Sequence, residues 1–512
     1  MRQAAQEFRR RAEHEDFTAV IDDLGEHRAR ALIGHADALL RALRPAEGPE
    51  CGTVLIQADN QWRTVAAALA VGFGGGTLAL VGRHATADEF AHVCADLRPD
   101  AILAEPEVFE HWDAASRLPG TRHDVLDSWS LVRSPRTRDA ARWSGGVLIG
   151  LTSGSTGRPK GVVQSESALR YACDRTADIN GLRTGDAVAA IVPLSSTAAF
   201  CFGVYLAFTL GGPLVLQGKW DRRLALERMA RHDARWTMCV PTMALQLGEA
   251  AAGSRALRGV RSITVGGGPM DRGALSRAEQ SLGTKILRVF GMSECLGHTS
   301  PRPWDPEERR LGRDGVPFPG TEIRAVAPDG TALPPGRPGR AQVRGPSLFL
   351  GYARDGAVEP PALTADGYFP TGDLIALAED GAITVMGREK DVIIRGGRNL
   401  DMTEIERDLA DCPRVARCCV APVPDELLGE RVAMLAVRAE GGAIGLAEVT
   451  GYLEKTGVPK TRWPEFVFDV EDLPQTAVGK LDRNAARDLA VARHARTLAG
   501  PGRHPQAEEG DP

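Results

Sequence analysis

Between residues 51 and 268 the chain keeps returning to short apolar runs separated by longer amphipathic stretches, and this alternation restricts the fold more than any other feature. The runs fall at 53–57, 77–81, 101–104, 147–150, 187–192, 213–217, 236–240 and 262–265. Strands of this length, each followed by a helical stretch, predict parallel sheets with helices on their faces and ligands gathered where strand ends meet loops. From 311 to 386 the pattern becomes short alternating segments punctuated by Gly and Pro, as at 315–320 and 334–336, which predicts a small antiparallel β subdomain. Beyond it, strands at 391–395, 417–421 and 432–437 and helices at 403–410 and 447–455 make a further unit of ordinary domain size. Asp401 and Glu404 stand as a capping pair before the first of those helices. The expected fold class is α/β: a large N-terminal domain over 1–387, built of two parallel-type α/β sheets plus the β subdomain at 311–386; a mobile small α+β domain over 388–490; and a disordered tail over 491–512.

Charge and cysteine content narrow the chemistry. A net charge of −5 leaves no broad basic surface for a nucleic-acid duplex, so any phosphate chemistry is local. Nine cysteines without paired metal spacing read as reduced thiols of a cytoplasmic protein. No apolar run reaches the roughly 18 residues of a membrane span. Only seven of the 62 basic residues are lysine, at 160, 219, 285, 390, 455, 460 and 480, so a lysine here needs a reason that arginine does not meet.

The segment 151–161 follows the apolar run at 147–150 directly. Gly154 and Gly157 let backbone amides approach phosphate oxygens, the hydroxyls of Thr152, Ser153, Ser155 and Thr156 add donors, and Lys160 supplies charge. This is a candidate triphosphate cradle without the G-K-[ST] ending of a Walker A loop, the other reading of such a stretch being a flexible Ser/Gly connector, which would not need the Pro159-Lys160 stop. The other glycine cluster, 72–77, lies after a helix and before a strand, the reverse of a dinucleotide fingerprint, and reads as a turn.

The cradle is similar to the signature of the adenylate-forming superfamily, which includes acyl-CoA synthetases, peptide-synthetase adenylation domains and beetle luciferases. Six further motifs follow in that family's order: Gly266-Gly267-Gly268-Pro269, Phe290-Gly291-Met292-Ser293-Glu294, the glycine-proline stretch 315–320, Thr371-Gly372-Asp373, 387–391 with Gly396-Gly397, and 474–483 ending in Gly479-Lys480-Leu481-Asp482-Arg483. The resemblance covers about residues 50–485. It implies an acid-thiol ligase that uses ATP and Mg²⁺ to activate an acid as acyl-AMP and then transfers the acyl group to CoA.

It also implies roles. Gly267, Gly268, Pro269, Phe290, Gly291, Met292, Asp373 and Arg388 would hold adenine and ribose; Ser293 would bond a phosphate and Glu294 would ligate Mg²⁺. Lys480 would bridge the acid and the α-phosphate, Asp391 would be the hinge of the small domain, and Gly396-Gly397 would line the thiol tunnel. The acid pocket is expected from Ser195, Ser196, Phe200, Met243, Gly266 and His298, a lining suited to a small aryl or alicyclic acid. Apart from Glu294 these stretches offer no carboxylate for an α-amino group. Two other readings stand beside CoA ligation. One is a freestanding adenylating enzyme that loads the phosphopantetheine of a separate carrier protein or activates an unusual acid, nitrite included, for attack by an amine. The other is a non-catalytic nucleotide-binding homologue, against which intact Lys160, Glu294, Asp373, Arg388 and Lys480 argue.

Overall fold

The computed structural model describes residues 1–44, 51–135, 140–153, 158–268, 270–389, 391–395, 398–439, 444–475 and 481–499. It divides into two compact units, Met1–Val385 and Met386–Pro512.

All eight apolar runs form strands, and they divide between two sheets of the first unit. One sheet has seven strands in the order Lys285–Arg288, Ser262–Val265, Ala234–Cys239, Ala187–Ala190, Leu214–Leu216, Thr18–Asp22 and Gly25–Arg28, all parallel except the last. The other has nine, with Gly146–Ser153, Thr77–Val81, Thr53–Gln57 and Ala101–Ala104 parallel at its centre and antiparallel strands on both flanks. Every residue of Thr53–Gln57 and Thr77–Val81 is buried, as expected for central strands covered on both faces. The helix Trp62–Gly74 between them is buried nearly all round, so it fills space between layers instead of facing water. Gly75, at φ 70°, ends it in the left-handed conformation, which places the glycine cluster in a turn.

The small sheet runs Glu322–Val326, Gly339–Arg344, Phe369–Leu377 and Ile383–Arg388. It is smaller than expected, because Gly351–Arg354 and Ala357–Glu359 leave it and extend the nine-stranded sheet beside Pro159–Ser165. A period-2 pattern identifies a strand but not the edge with which it pairs. This exchange brings Tyr352 opposite Val162, on the strand that carries Lys160.

In the second unit a five-stranded sheet carries the helix Met402–Asp408, whose N-terminal amides at Thr403 and Glu404 donate to Asp401 Oδ1 at 2.7 and 3.0 Å. Glu404 does not close the capping box; its carboxylate pairs with Arg462. The final helix, Arg483–Ala499, continues through residues 491–499, which the sequence reading assigned to a disordered tail. Ala486 and Ala490, one turn apart, bury a stripe against the apolar side of Val415–Asp425, and this packing holds the helix.

Candidate active site

The strands Gly146–Ser153 and Pro159–Ser165 form a hairpin around the glycine-serine loop. Its tip, with Gly154, Ser155, Thr156 and Gly157, lies outside the described residues, as does the side chain of Ser153. The register pairs Thr152 with Lys160, Gly150 with Val162 and Leu148 with Gln164, and Val162 pairs in turn with Tyr352. Directly paired residues of an antiparallel ladder share a face, as do alternate residues along a strand. Thr152, Gly150, Lys160, Val162, Gln164 and Tyr352 therefore all project from one side of the sheet.

That side receives the segment running from Phe290 to Glu294. The Tyr352 hydroxyl donates to Glu294 Oε1 at 2.9 Å, and the Lys160 ammonium stands 5.3 Å from the centre of the Tyr352 ring. Gln164 Nε2 donates to the Ser293 carbonyl at 2.7 Å, and the Phe349 amide donates to the Glu294 carbonyl at 2.7 Å. Burial raises the Tyr352 phenol above its ordinary value and the neighbouring Glu294 carboxylate raises it further, so it remains a proton donor. Neither Tyr352 nor Gln164 was picked out from sequence. The available signals were a tyrosine in a chain with only five and a glutamine within an otherwise apolar run.

The residues expected to hold the nucleotide lie at neighbouring strand ends. Gly266 follows Ser262–Val265, and a Cβ there would stand 2.9 Å from a Val289 methyl, so the chains can approach only without a side chain. Gly267, at φ 83°, and Gly268 are exposed beyond it, and Pro269 lies outside the described residues. Phe290 is half-buried, its amide donating to Thr299 Oγ1 at 3.0 Å, and Gly291 and Met292 continue the segment to Ser293. The strand that leads into it is locked by a buried ion pair, Arg288 Nε to Asp314 Oδ1 at 2.6 Å. Asp373 is buried on Phe369–Leu377, its amide donating to Thr371 Oγ1 at 3.1 Å. Four residues earlier, Phe369 packs with Phe349 and Cys295, which ties this strand to the Glu294 segment.

The remaining expected residues divide by unit. In the second unit Arg388 is exposed at the end of its strand, and the Asp391 carboxylate stands 3.5 Å from Arg483 Nε. Gly396, Gly397 and Lys480 lie outside the described residues. In the first unit Ser195 and Ser196 are half-buried just before the helical stretch that begins at Thr197. Phe200 is fully buried in one apolar core of the first unit, and Met243 is buried in another.

His298 is completely buried, with its ring 5.1 Å from that of Phe290 and neither nitrogen hydrogen-bonded among the described residues. Burial lowers its pKa to about 3, so the imidazole is neutral at every working pH. Because the folded state resists a proton that the unfolded chain accepts near 6.5, the stability held above pH 6.5 is lost as pH falls toward 3. Between pH 7.5 and 5 this amounts to roughly 2 kcal/mol. The non-titrating variant His298→Gln is expected to lose that much less over the interval in urea unfolding; curves of equal slope would show that His298 is not held neutral.

The AMP-binding enzyme family model matches residues 8–353, and the model of its C-terminal domain matches 404–480. Triostin synthetase I of Streptomyces triostinicus is 32% identical over 434 residues, covering 81% of this chain and 80% of that protein. A salicylyl-CoA synthase / salicylate adenylyltransferase of a Streptomyces species is 29% identical, covering 93% and 91%. The solved amide bond synthetase McbA of Marinactinospora thermotolerans superposes with a TM-score of 0.80 at 26% identity, covering 95% of this chain and 99% of that one. The chain belongs to the AMP-binding enzyme family, the adenylate-forming superfamily of ATP-dependent, AMP-forming ligases.

Proposed function

We propose that this enzyme activates a small aromatic carboxylic acid as its acyl-adenylate and passes the acyl group to the thiol of CoA. In the first step an acid oxygen bonds to the α-phosphorus of ATP and pyrophosphate leaves. In the second the thiol sulfur bonds to the acyl carbon, its proton is lost and AMP leaves. The observation that carries the reading is the convergence of Lys160, Glu294 and Tyr352 on one sheet face beside the glycine-serine loop. Electrostatic stabilisation of phosphoryl transfer needs a cation and an oriented carboxylate at that place. The aromatic class is supported by the relative named for salicylate, and the lack of any carboxylate but Glu294 in the pocket stretches speaks against an α-amino acid.

Among the described residues no three His, Cys, Asp or Glu side chains cluster to hold a metal. A single carboxylate suits Mg²⁺, which keeps several waters and takes phosphate oxygens as its other ligands. Glu294 would hold it, and the ion would neutralise charge on the triphosphate. The Tyr352 hydrogen bond leaves one Glu294 oxygen oriented for this task. Loss of a hydrogen bond to a charged group predicts that Tyr352→Phe lowers kcat/KM for MgATP by about tenfold or more, with the ring contact to Lys160 kept. An unchanged value would remove Tyr352 from the site.

The test of the whole reading is ATP–pyrophosphate exchange across a panel of aromatic, alicyclic and alkyl acids, followed by thioester detection with and without CoA. Exchange with no acid refutes adenylation. Strong exchange without CoA transfer would favour the second reading, transfer to a carrier protein or an amine, which the likeness to an amide bond synthetase supports.

A further inference from the structure

The Ser293 carbonyl belongs to the peptide unit before the Glu294 Cα, and the Glu294 carbonyl to the unit after it. Each accepts a hydrogen bond of 2.7 Å, the first from Gln164 Nε2 and the second from the Phe349 amide. Holding the peptide planes on both sides of one Cα fixes its φ and ψ, and with them the direction in which the side chain leaves the backbone. The Tyr352 hydroxyl then holds the far end of that side chain, at Glu294 Oε1. The turn itself is closed by the Cys295 amide, which donates to the Met292 carbonyl at 3.2 Å, and Cys295 bridges to Leu348. On the side after Glu294 the turn is thus tied to the rest of the fold by backbone. On the side before it the tie is a side chain, that of Gln164.

Packing alone does not call for a glutamine there. Gln164 is fully buried beside Val162 and Val163, and its Oε1 has no partner among the described residues. An unmet buried acceptor costs stability, and a methionine or leucine would fill the space without one, so the amide is kept for its nitrogen. Gln164 stands on the strand Pro159–Ser165, on the same face as Lys160 and four residues from it, about 13 Å at 3.3 Å per residue. Being fully buried, it acts through the Ser293–Glu294 peptide and not on a ligand.

We infer that Gln164 is a positioning residue for Glu294: it fixes the direction of the carboxylate that would hold Mg²⁺, so that one strand places both the Lys160 cation and, through Gln164, the metal-holding oxygen. This rests on the adenylation reading above and on the metal role given there to Glu294. The test is ATP binding by titration calorimetry, with Mg²⁺ and with the metal removed by EDTA, in the absence of any acid. Gln164→Met, close to glutamine in size, is expected to weaken binding of MgATP by about three- to tenfold, the worth of one hydrogen bond, and to leave metal-free ATP within about twofold. Loss of both, or of neither, overturns the inference, because a residue that merely supports the fold does not single out the metal-bound form. In pyrophosphate exchange the losses in kcat/KM for MgATP from Gln164→Met and Tyr352→Phe should combine to less than their product, since both act through one carboxylate; losses that multiply overturn it as well. Should Gln164→Met not fold, Gln164→Asn, which keeps the amide and sets it back by one methylene, carries the same comparison. Wild-type binding that gains nothing from Mg²⁺ overturns the inference together with the metal role of Glu294. Exchange with no acid removes the adenylation reading, and the binding comparison, which needs no acid, still decides this one.

Discussion

Lys480→Ala is expected to lower the rate of ATP–pyrophosphate exchange by at least about 10²–10³-fold, the cost of deleting one preorganised donor at a centre of developing charge. Attack of a carboxylate on the α-phosphorus brings two anions together, and the cation that bridges them is needed only while they approach. A compact ammonium on a flexible stem can reach such a point. A forked guanidinium cannot, which is a physical reason for a lysine in a chain where 55 of 62 basic residues are arginine. Lys480→Arg should therefore be nearly as impaired as Lys480→Ala. Lys480 itself is outside the described residues, but both feet of its loop are fixed. Gln475 pairs with Leu481, the Asp482 amide donates to the Pro474 carbonyl at 2.9 Å, and Arg483 donates to both oxygens of Glu406 at 2.8 and 2.7 Å. Thioester formation from chemically prepared acyl-adenylate and CoA should survive in the variant, since that step does not bring the acid to phosphate. Exchange within about threefold of wild type would take Lys480 out of the reaction.

The sequence was most informative where burial is complete. Central strands such as Thr53–Gln57 and Thr77–Val81 read as uninterrupted apolar runs because both of their faces are covered, and no competing structure explains such runs at that spacing. Pairing between distant strands was not legible. Nothing in 351–359 says that these residues cross to the nine-stranded sheet, and the Tyr352–Glu294 contact exists only because they do. The family motifs named groups expected to touch nucleotide. They did not name Gln164, whose hydrogen bond to the Ser293 carbonyl is a property of three-dimensional surroundings and not of residue type. Phe200, expected in the pocket lining from sequence, is fully buried in the apolar core of the first unit.

Asp391→Pro is expected to separate the two half-reactions, leaving pyrophosphate exchange within a few-fold of wild type and reducing thioester formation by about 10²-fold or more. The expectation follows from what one residue must do if the second unit turns between steps: its backbone dihedrals have to change, and proline fixes φ near −65°. Asp391 is also a bonded residue. Its amide donates to the Arg388 carbonyl at 3.0 Å, its carbonyl accepts from Met402 at 3.1 Å, and its carboxylate faces Arg483. Proline removes the first of these bonds, at about 1 kcal/mol of stability, so a melting curve must accompany the kinetics. Asp391→Ala is the needed control, because it deletes the ion pair and leaves φ free. If the alanine variant keeps both half-reactions while proline loses only the second, the dihedral is the cause and Asp391 is the hinge. If alanine also loses thioester formation, the contribution of Asp391 is its contact with Arg483, at the foot of the Lys480 loop. An equal fall of both half-reactions in the proline variant would place the pivot elsewhere in the chain.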